Sequence, residues 1–328
     1  MGLFTLKLDR LSCLATLNLY NCSSIQIKDL SLPYLSLLLS TGLVILNTAI
    51  VSFILVIFAI VKLLIPITFS QVFFSKKANQ TMWCWASINK FLLSLFNKVE
   101  WQVTGNEALN KDSWYLLISN HISWTDIVIL SSLFKDSMPI TKFFVKKQLL
   151  FVPFVGLACW ALDMPFMRRY TSEYLSKHPE KRIADMKSTR QSCEKFKLIP
   201  TTIVNFVEGS RVTSSKQQQT NSPYLHLLNP KAGGIAYTLA AMGEQFDSVV
   251  DITLAYPNNR ETPFKDLLMG KMKKIIVHVD IIAITPEVQG DYFNDSVYKQ
   301  KFQQWLSKIW QEKDRKLDDI YKNSEVKK

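Results

Sequence analysis

The chain has 328 residues, 48% of them hydrophobic, and carries 39 Lys and Arg against 27 Asp and Glu, a formal net charge of +12. That length supports one large α/β domain with a substantial core, or two small ones. The basic balance suits an anionic partner, and Cys13, Cys22, Cys84, Cys159 and Cys193 form no CxxC pair and no zinc-ligand spacing with the four histidines, which argues against a metal centre.

Residues 1–30 carry no readable motif. From Leu30 to Val61 there are 32 residues without a charge, before Lys62 interrupts and Lys76 follows. A spanning helix needs roughly 20 apolar residues, so the stretch suffices. It fits one tilted helix near residues 41–65 or a tight hairpin dipping into one leaflet. A signal peptide is not expected, because the run starts late, is too long and lacks a small-residue cleavage site. Lys62, Lys76, Lys77, Lys90 and Lys98 follow the segment, whereas Lys7, Arg10 and Lys28 precede it beside Asp9 and Asp29. That bias favours a cytoplasmic C-terminal domain. An odd number of unpaired cysteines fits the same reducing compartment.

Downstream, Asn79–Asn97 reads as a helix on the membrane face, and Glu100–Thr104 as a short strand. Trp114–Ser119 is a buried-strand run and Ser123–Phe134 is helical. Val145–Leu162 reads as an apolar helix broken near Pro153 and Gly156, and Glu180–Lys197 as a charged amphipathic helix. Thr201–Phe206 is another buried strand, Ser214–Ser222 an exposed loop, and Lys231–Met242 a small-residue helix. Asp247–Tyr256 and Lys274–Ile284 are β-branched strands, and Asp291–Lys322 is a polar helical region. The alternation predicts an α/β fold, a mostly parallel sheet flanked by helices, behind an N-terminal membrane helix or helical hairpin. The expected divisions are residues 1–30, a membrane anchor at 31–75, a catalytic domain at 76–290 and a polar helical tail at 291–328.

Two motifs carry chemistry. Asn120-His121-Ile122-Ser123-Trp124-Thr125-Asp126 follows the WYLLIS strand directly. In one regular helix His121 and Asp126 would lie about 140° apart and could not touch. They meet if His121 sits in the strand-to-helix turn and Asp126 in the first helical turn, as the S-x-x-D pattern of Ser123 and Asp126 suggests. A neutral imidazole can then take a proton from a hydroxyl, with the carboxylate fixing its tautomer. No GxSxG elbow exists, so the attacking hydroxyl is expected to come from the substrate. Phe206-Val207-Glu208-Gly209-Ser210-Arg211 ends the second buried strand. Gly209 permits a sharp turn and Arg211 offers a planar fork suited to phosphate.

These blocks resemble those of the glycerolipid acyltransferases, the lysophosphatidic acid acyltransferase family. Asn120, His121 and Asp126 match N-H-x-x-x-x-D. Pro165-Phe166-Met167-Arg168-Arg169 matches the second block, with Arg169 at the family arginine. FVEGSR matches F-P-E-G-T-R, with Val207 for proline and Ser210 for threonine. Ile252-Thr253-Leu254-Ala255-Tyr256-Pro257 matches the fourth block loosely, and Pro230-Lys231-Ala232-Gly233 a lysine-glycine element. The texture is similar to a bacterial inner-membrane branch, the YihG-like proteins, which includes relatives of the lysocardiolipin acyltransferases.

The resemblance implies that His121 deprotonates the sn-2 hydroxyl of 1-acyl-glycerol-3-phosphate and Asp126 orients it. Arg169, Arg211 and Lys231 would hold the acceptor phosphate, and Glu208, Gly209 and Ser210 belong to the same substrate-binding set. It implies acyl-CoA or acyl-carrier protein as donor, no metal or cofactor, and a bacterial inner membrane with the catalytic domain facing the cytoplasm. Backbone N–H groups near the helix start after His121 are candidates for the oxyanion. Another lysophospholipid acceptor, of lysophosphatidylglycerol or lysocardiolipin type, is the alternative. A membrane-bound nucleic-acid binder is disfavoured, because no basic-aromatic module is present. Membrane lipids and substrates are the expected partners.

Overall fold

The computed structural model describes residues 8–167, 195–285 and 288–325. Helix α1 (Leu8–Leu64) runs unbroken through the whole uncharged stretch, so no hairpin lies within it. Residues Leu32–Leu64 are long and apolar enough to cross a membrane, with a mean hydropathy of 2.8. The chain turns at Pro66 into α2 (Thr68–Ser94), which begins well before the expected Asn79. Leu46, Ile50, Phe53, Ile57, Ile60 and Leu64 form an exposed row on α1, while Val51, Leu55 and Ala59 are buried. One face of α1 is therefore packed and the other unpartnered.

The sheet contains β1 (Glu100–Thr104), β2 (Tyr115–Ser119), β3 (Thr141–Phe143), β6 (Thr202–Phe206), β7 (Ser248–Ala255) and β8 (Lys274–Ala283), in the order β1-β8-β7-β2-β6-β3. The first, second, sixth, seventh and eighth strands lie where the short, buried and β-branched strand runs were expected. β3, three residues long, was too short to stand out. Four neighbouring pairs are parallel, but β7 and β8 are antiparallel, so β1 and β8 oppose the others. The sheet is mixed, with its parallel part around β2.

Side chains alternate across the pleat and build two cores. Leu117, Val204 and Val250 face Leu55, Met82 and Leu130 on the side of α1, α2 and α3 (Thr125–Leu133). Leu116, Ile118 and Val249 face Ile235, Leu239 and Trp310 on the other side. That second layer holds α6 (Ala232–Met242) and α8 (Ser296–Glu325). The expected polar terminal region thus lays a buried stripe of Phe302, Leu306, Trp310 and Leu317 on the sheet.

Two expectations are corrected. Val145–Leu162 is not one broken helix. It begins as β4 (Val145–Lys146), paired with β5 (Phe166–Met167), and continues through a 3-10 turn over Lys147–Phe151. Only α4 (Val155–Ala161) is α-helical. Pro153 supplies no N–H, and Phe154 takes a left-handed φ of 62°, which ends one backbone course and starts another. Ser214–Ser222 is not loop throughout. It contains the exposed helix α5 (Ser214–Gln219), whose N-cap Thr213 accepts a hydrogen bond from the Lys216 N–H. Most of the Glu180–Lys197 helix expectation lies outside the described residues. α7 (Pro263–Leu268) connects β7 to β8.

Candidate active site

β2 lies between β6 and β7 and runs parallel to both, so whatever follows these three strands meets at one edge of the sheet. Asn120 leaves β2 fully buried. Its amide nitrogen donates to the Leu254 carbonyl and its oxygen accepts the Leu254 N–H, 2.9 Å each. The side chain continues the ladder for one more rung and fixes where His121 departs.

Asp126, in the first turn of α3, reaches back to His121. Its Oδ2 accepts from His121 Nδ1 at 2.8 Å, from the Ile122 N–H at 2.7 Å and from the Ser123 N–H at 2.9 Å. The Thr125 N–H donates to Ser123 Oγ at 3.0 Å, so the helix start and the dyad are one structure. Tyr256, just past β7, donates its hydroxyl to Asp126 Oδ1 at 2.6 Å. Burial first, and the Asp126 charge second, push the Tyr256 phenol well above its ordinary value, so it stays a donor. Four donors therefore meet a carboxylate that is wholly buried. The Asp126 bond places a proton on Nδ1 and leaves the lone pair on Nε2. The imidazole stacks on Phe206, centroids 4.0 Å apart and 18° from parallel.

Beyond β6, Gly209 takes a φ of 70°, and its N–H donates to the Phe206 carbonyl at 2.8 Å, closing the tight turn. Val207, standing where the family has proline, is buried, and its carbonyl accepts the Lys231 N–H at 2.7 Å. Glu208 is buried with its carboxyl between two backbone donors, the His121 N–H at 3.0 Å and the Leu228 N–H at 3.2 Å. Burial pushes that carboxyl up to about 8 against both bonds. Glu208 thus grips the peptide of His121 directly. The Val212 N–H donates to the His121 carbonyl at 2.8 Å, tying the two turns together again.

Arg211 is exposed, with its guanidinium carbon 5.6 Å from the centre of the Trp124 ring. Ser210 is half-buried on the same turn, and Lys231 is exposed at the N-cap of α6. The structure therefore gathers His121, Asp126, Glu208, Gly209, Ser210 and Arg211 at one edge, with the Lys231 backbone joined to that turn. Arg169 lies outside the described residues. The N–H groups of Ile122 and Ser123 are taken by Asp126, which removes them as oxyanion donors.

Beside the dyad is an apolar cavity of about 440 Å³, lined by Val51 and Leu55 of α1, Met82 of α2, Trp124, Phe143 and Cys159 among others. Phe143 stacks on Phe206, centroids 6.1 Å apart, and Phe206 stacks on His121, so a stack of two rings joins the cavity wall to the imidazole. Trp124 belongs to both the cavity wall and the Arg211 contact. Burial pushes the Cys159 thiol up to about 11, the reverse of an activated nucleophile. Sequence reasoning missed Tyr256 as a partner of Asp126. Its one signal was a tyrosine at the end of a buried strand.

Residues 100–256 match the profile of the Acyltransferase family. The chain is 26% identical over 136 residues to a 2-acyl-1-lysophosphatidylinositol acyltransferase of Saccharomyces cerevisiae, covering 37% of this chain and 33% of that protein. It is 26% identical over 250 residues to mouse lysocardiolipin acyltransferase 1, covering 72% of this chain and 62% of that protein. The match thus spans between one third and somewhat under two thirds of these relatives. The crystal structure of the 1-acyl-sn-glycerophosphate (LPA) acyltransferase PlsC from Thermotoga maritima superposes with a TM-score of 0.50 at 14% identity, covering 88% of this chain and 97% of that one. At that identity the likeness concerns the fold.

Proposed function

We propose that the chain, whose residues 100–256 match the Acyltransferase family, is a glycerolipid acyltransferase that moves a fatty acyl group from a thioester to a lysophospholipid hydroxyl. The observation that carries this is the His121–Asp126 pair, held at 2.8 Å and joined to the wall of an apolar cavity by the stacked rings of Phe206 and Phe143. Nε2 of His121 takes the hydroxyl proton as the oxygen attacks the thioester carbonyl. The C–O bond forms, the C–S bond breaks, and the proton passes to the departing thiolate. Asp126 stabilises the imidazolium in between. Transfer is direct, through a ternary complex: among the described residues no serine or cysteine side chain is hydrogen-bonded to His121, and Cys159 is unactivated.

The cavity, within the range of about 300–1,000 Å³ usual for ligand sites, takes an acyl chain. Arg211 at its rim, with Lys231 and Arg169, takes the acceptor phosphate. The acceptor we favour is 1-acyl-glycerol-3-phosphate, esterified at its sn-2 hydroxyl to give phosphatidic acid, with acyl-CoA or acyl-carrier protein as donor. The lysophosphatidylinositol and lysocardiolipin specificities of the relatives support a second reading, a larger lysophospholipid head group. α1 and the lysines after it support membrane residence with the catalytic domain in the cytoplasm; the resemblance to the bacterial branch makes that membrane a bacterial inner membrane.

The test is turnover by the full chain in detergent micelles, with a panel of lysophospholipids and both donors. His121→Ala should lower kcat by roughly 10²–10⁴-fold while membrane association and melting temperature are retained. Retention of more than about a tenth of the wild-type rate sinks the general-base role.

A further inference from the structure

α4 and the turn before it are apolar on both sides. Val155, Ala158, Cys159 and Leu162 face inward and line the cavity. Phe151, Val152, Phe154, Leu157 and Trp160 face outward, with Phe151 81% and Leu157 49% exposed. The inward and outward sets interleave at helical spacing, so α4 is a wall one helix thick between the cavity and the outside. A helix apolar all round is stable where protein or lipid covers it. Adjacent large apolar exposure of this kind marks an interaction surface.

The outward side chains are presented by a fixed backbone. Phe154 holds a left-handed φ of 62°, sparsely populated for a residue with a Cβ. Ser52 of α1 donates its hydroxyl to the Phe154 carbonyl at 2.9 Å. Gly156 packs so tightly that a Cβ there would lie 2.2 Å from the Leu150 carbonyl oxygen. Just beyond α4, Asp163 pairs with Lys62 near the end of α1. The turn is thus pinned at two points to the helix that carries the exposed row Leu46, Ile50, Phe53, Ile57 and Ile60. Exposed Lys146 and Lys147 precede it, where they suit anionic head groups.

We propose that the Phe151–Trp160 surface is a second membrane-insertion element, buried in the lipid leaflet beside α1, so that α4 alone separates the acyl cavity from the bilayer. Its occupant is lipid: the surface continues the unpartnered face of α1 and carries an interfacial tryptophan and flanking lysines. Apolar faces of this kind enter the head-group–acyl boundary to a depth of about 5–10 Å. The inference rests on α1 itself facing lipid.

The experiment uses the full chain with its native cysteines replaced, reconstituted into vesicles of phosphatidylethanolamine and phosphatidylglycerol. Nitroxide labels are placed singly at Phe151→Cys and Leu157→Cys, at Leu46→Cys on α1, and at Glu312→Cys on α8. Relaxation by oxygen, which concentrates in lipid, is compared with relaxation by a water-soluble nickel chelate. Oxygen should dominate several-fold at 151, 157 and 46, and nickel at 312. Nickel dominance at 151 and 157 with oxygen dominance at 46 overturns this proposal and leaves α1 in the membrane. Nickel dominance at all three overturns both. Shielding of 151 and 157 from both agents means that protein, such as a second copy, covers the surface, which also overturns it.

Discussion

One sheet is covered by two helical layers of opposite character. On one face α8 is amphipathic: Phe302, Leu306, Trp310 and Leu317 are buried, while lysines and acids fill its outer side. On the other face, α1 and α4 turn apolar side chains outward as well as inward. The first layer turns charge outward; the second turns apolar side chains outward, as a lipid-facing surface would. The dyad sits at the seam, at the strand ends where both layers stop. On the proposed function, a donor arriving from water and an acceptor held in the membrane would meet there at His121.

The difference is broken most severely in the water-facing layer. Lys313 of α8 is fully buried, 2.7 Å from Asp251 of β7 and 2.6 Å from the Ile252 carbonyl. Burial pushes Asp251 up and Lys313 down, each held back by the other's charge. Lys313→Ala leaves a buried carboxylate without its cation and should destabilise the fold by about 3–5 kcal/mol. Replacing both partners by apolar residues should recover much of that loss. Thermal melts of the detergent-solubilised proteins check both outcomes. A near-neutral Lys313→Ala would show that α8 is held by its apolar stripe alone.

The layer of α1 and α4 should respond through specificity. Ala158 lines the cavity on the inner side of α4. Ala158→Phe fills part of the 440 Å³. Turnover with long-chain donors should fall roughly tenfold, about 1.4 kcal/mol, while short-chain donors are spared. Equal loss with all chain lengths would mean the cavity does not hold the acyl chain.

At the seam, Tyr256→Phe removes one of four hydrogen bonds to the Asp126 carboxylate. A bond to a charged group is worth roughly 1.5–3 kcal/mol, but the other three donors remain, so kcat should fall about threefold to tenfold with KM unchanged. A rise in KM without loss of kcat would place Tyr256 in substrate binding instead.

The sequence exposed some of this and hid the rest for physical reasons. β2 and β6 were legible as short buried apolar runs, and β7 and β8 as β-branched runs. His121 and Asp126 were legible because five residues and one helix start join them. Tyr256 was not, because only the neighbouring of β2 and β7 brings it across 130 positions to Asp126. α4 was misread because an apolar stretch says little about whether it is helix, strand or turn, and the left-handed Phe154 leaves no compositional mark. Two of the expected oxyanion donors are taken because Asp126, read as orienting only the imidazole, also accepts the Ile122 and Ser123 N–H groups that follow His121.

The smallest effect concerns the residue that ties the layers together. Glu208 holds the His121 N–H, leading into α3 on the lipid side, and the Leu228 N–H, on the way to α6 on the water side. Burial raises its carboxyl from 4.5 to about 8. Between those values the folded protein keeps a proton that the unfolded chain has released. Stability from this group is therefore fully present below about 4.5 and is lost as pH rises toward about 8. Asp251, also raised by burial, titrates in the same sense, so the wild-type curve alone is ambiguous. Glu208→Gln carries no ionisable proton and isolates the contribution. Its stability should decline less steeply than that of the wild type across this window, though its absolute value should be lower, since an amide nitrogen must face one backbone N–H. Parallel curves would mean that the two backbone donors outweigh burial and that Glu208 is an anion in the folded protein, placing a fixed negative charge beside His121.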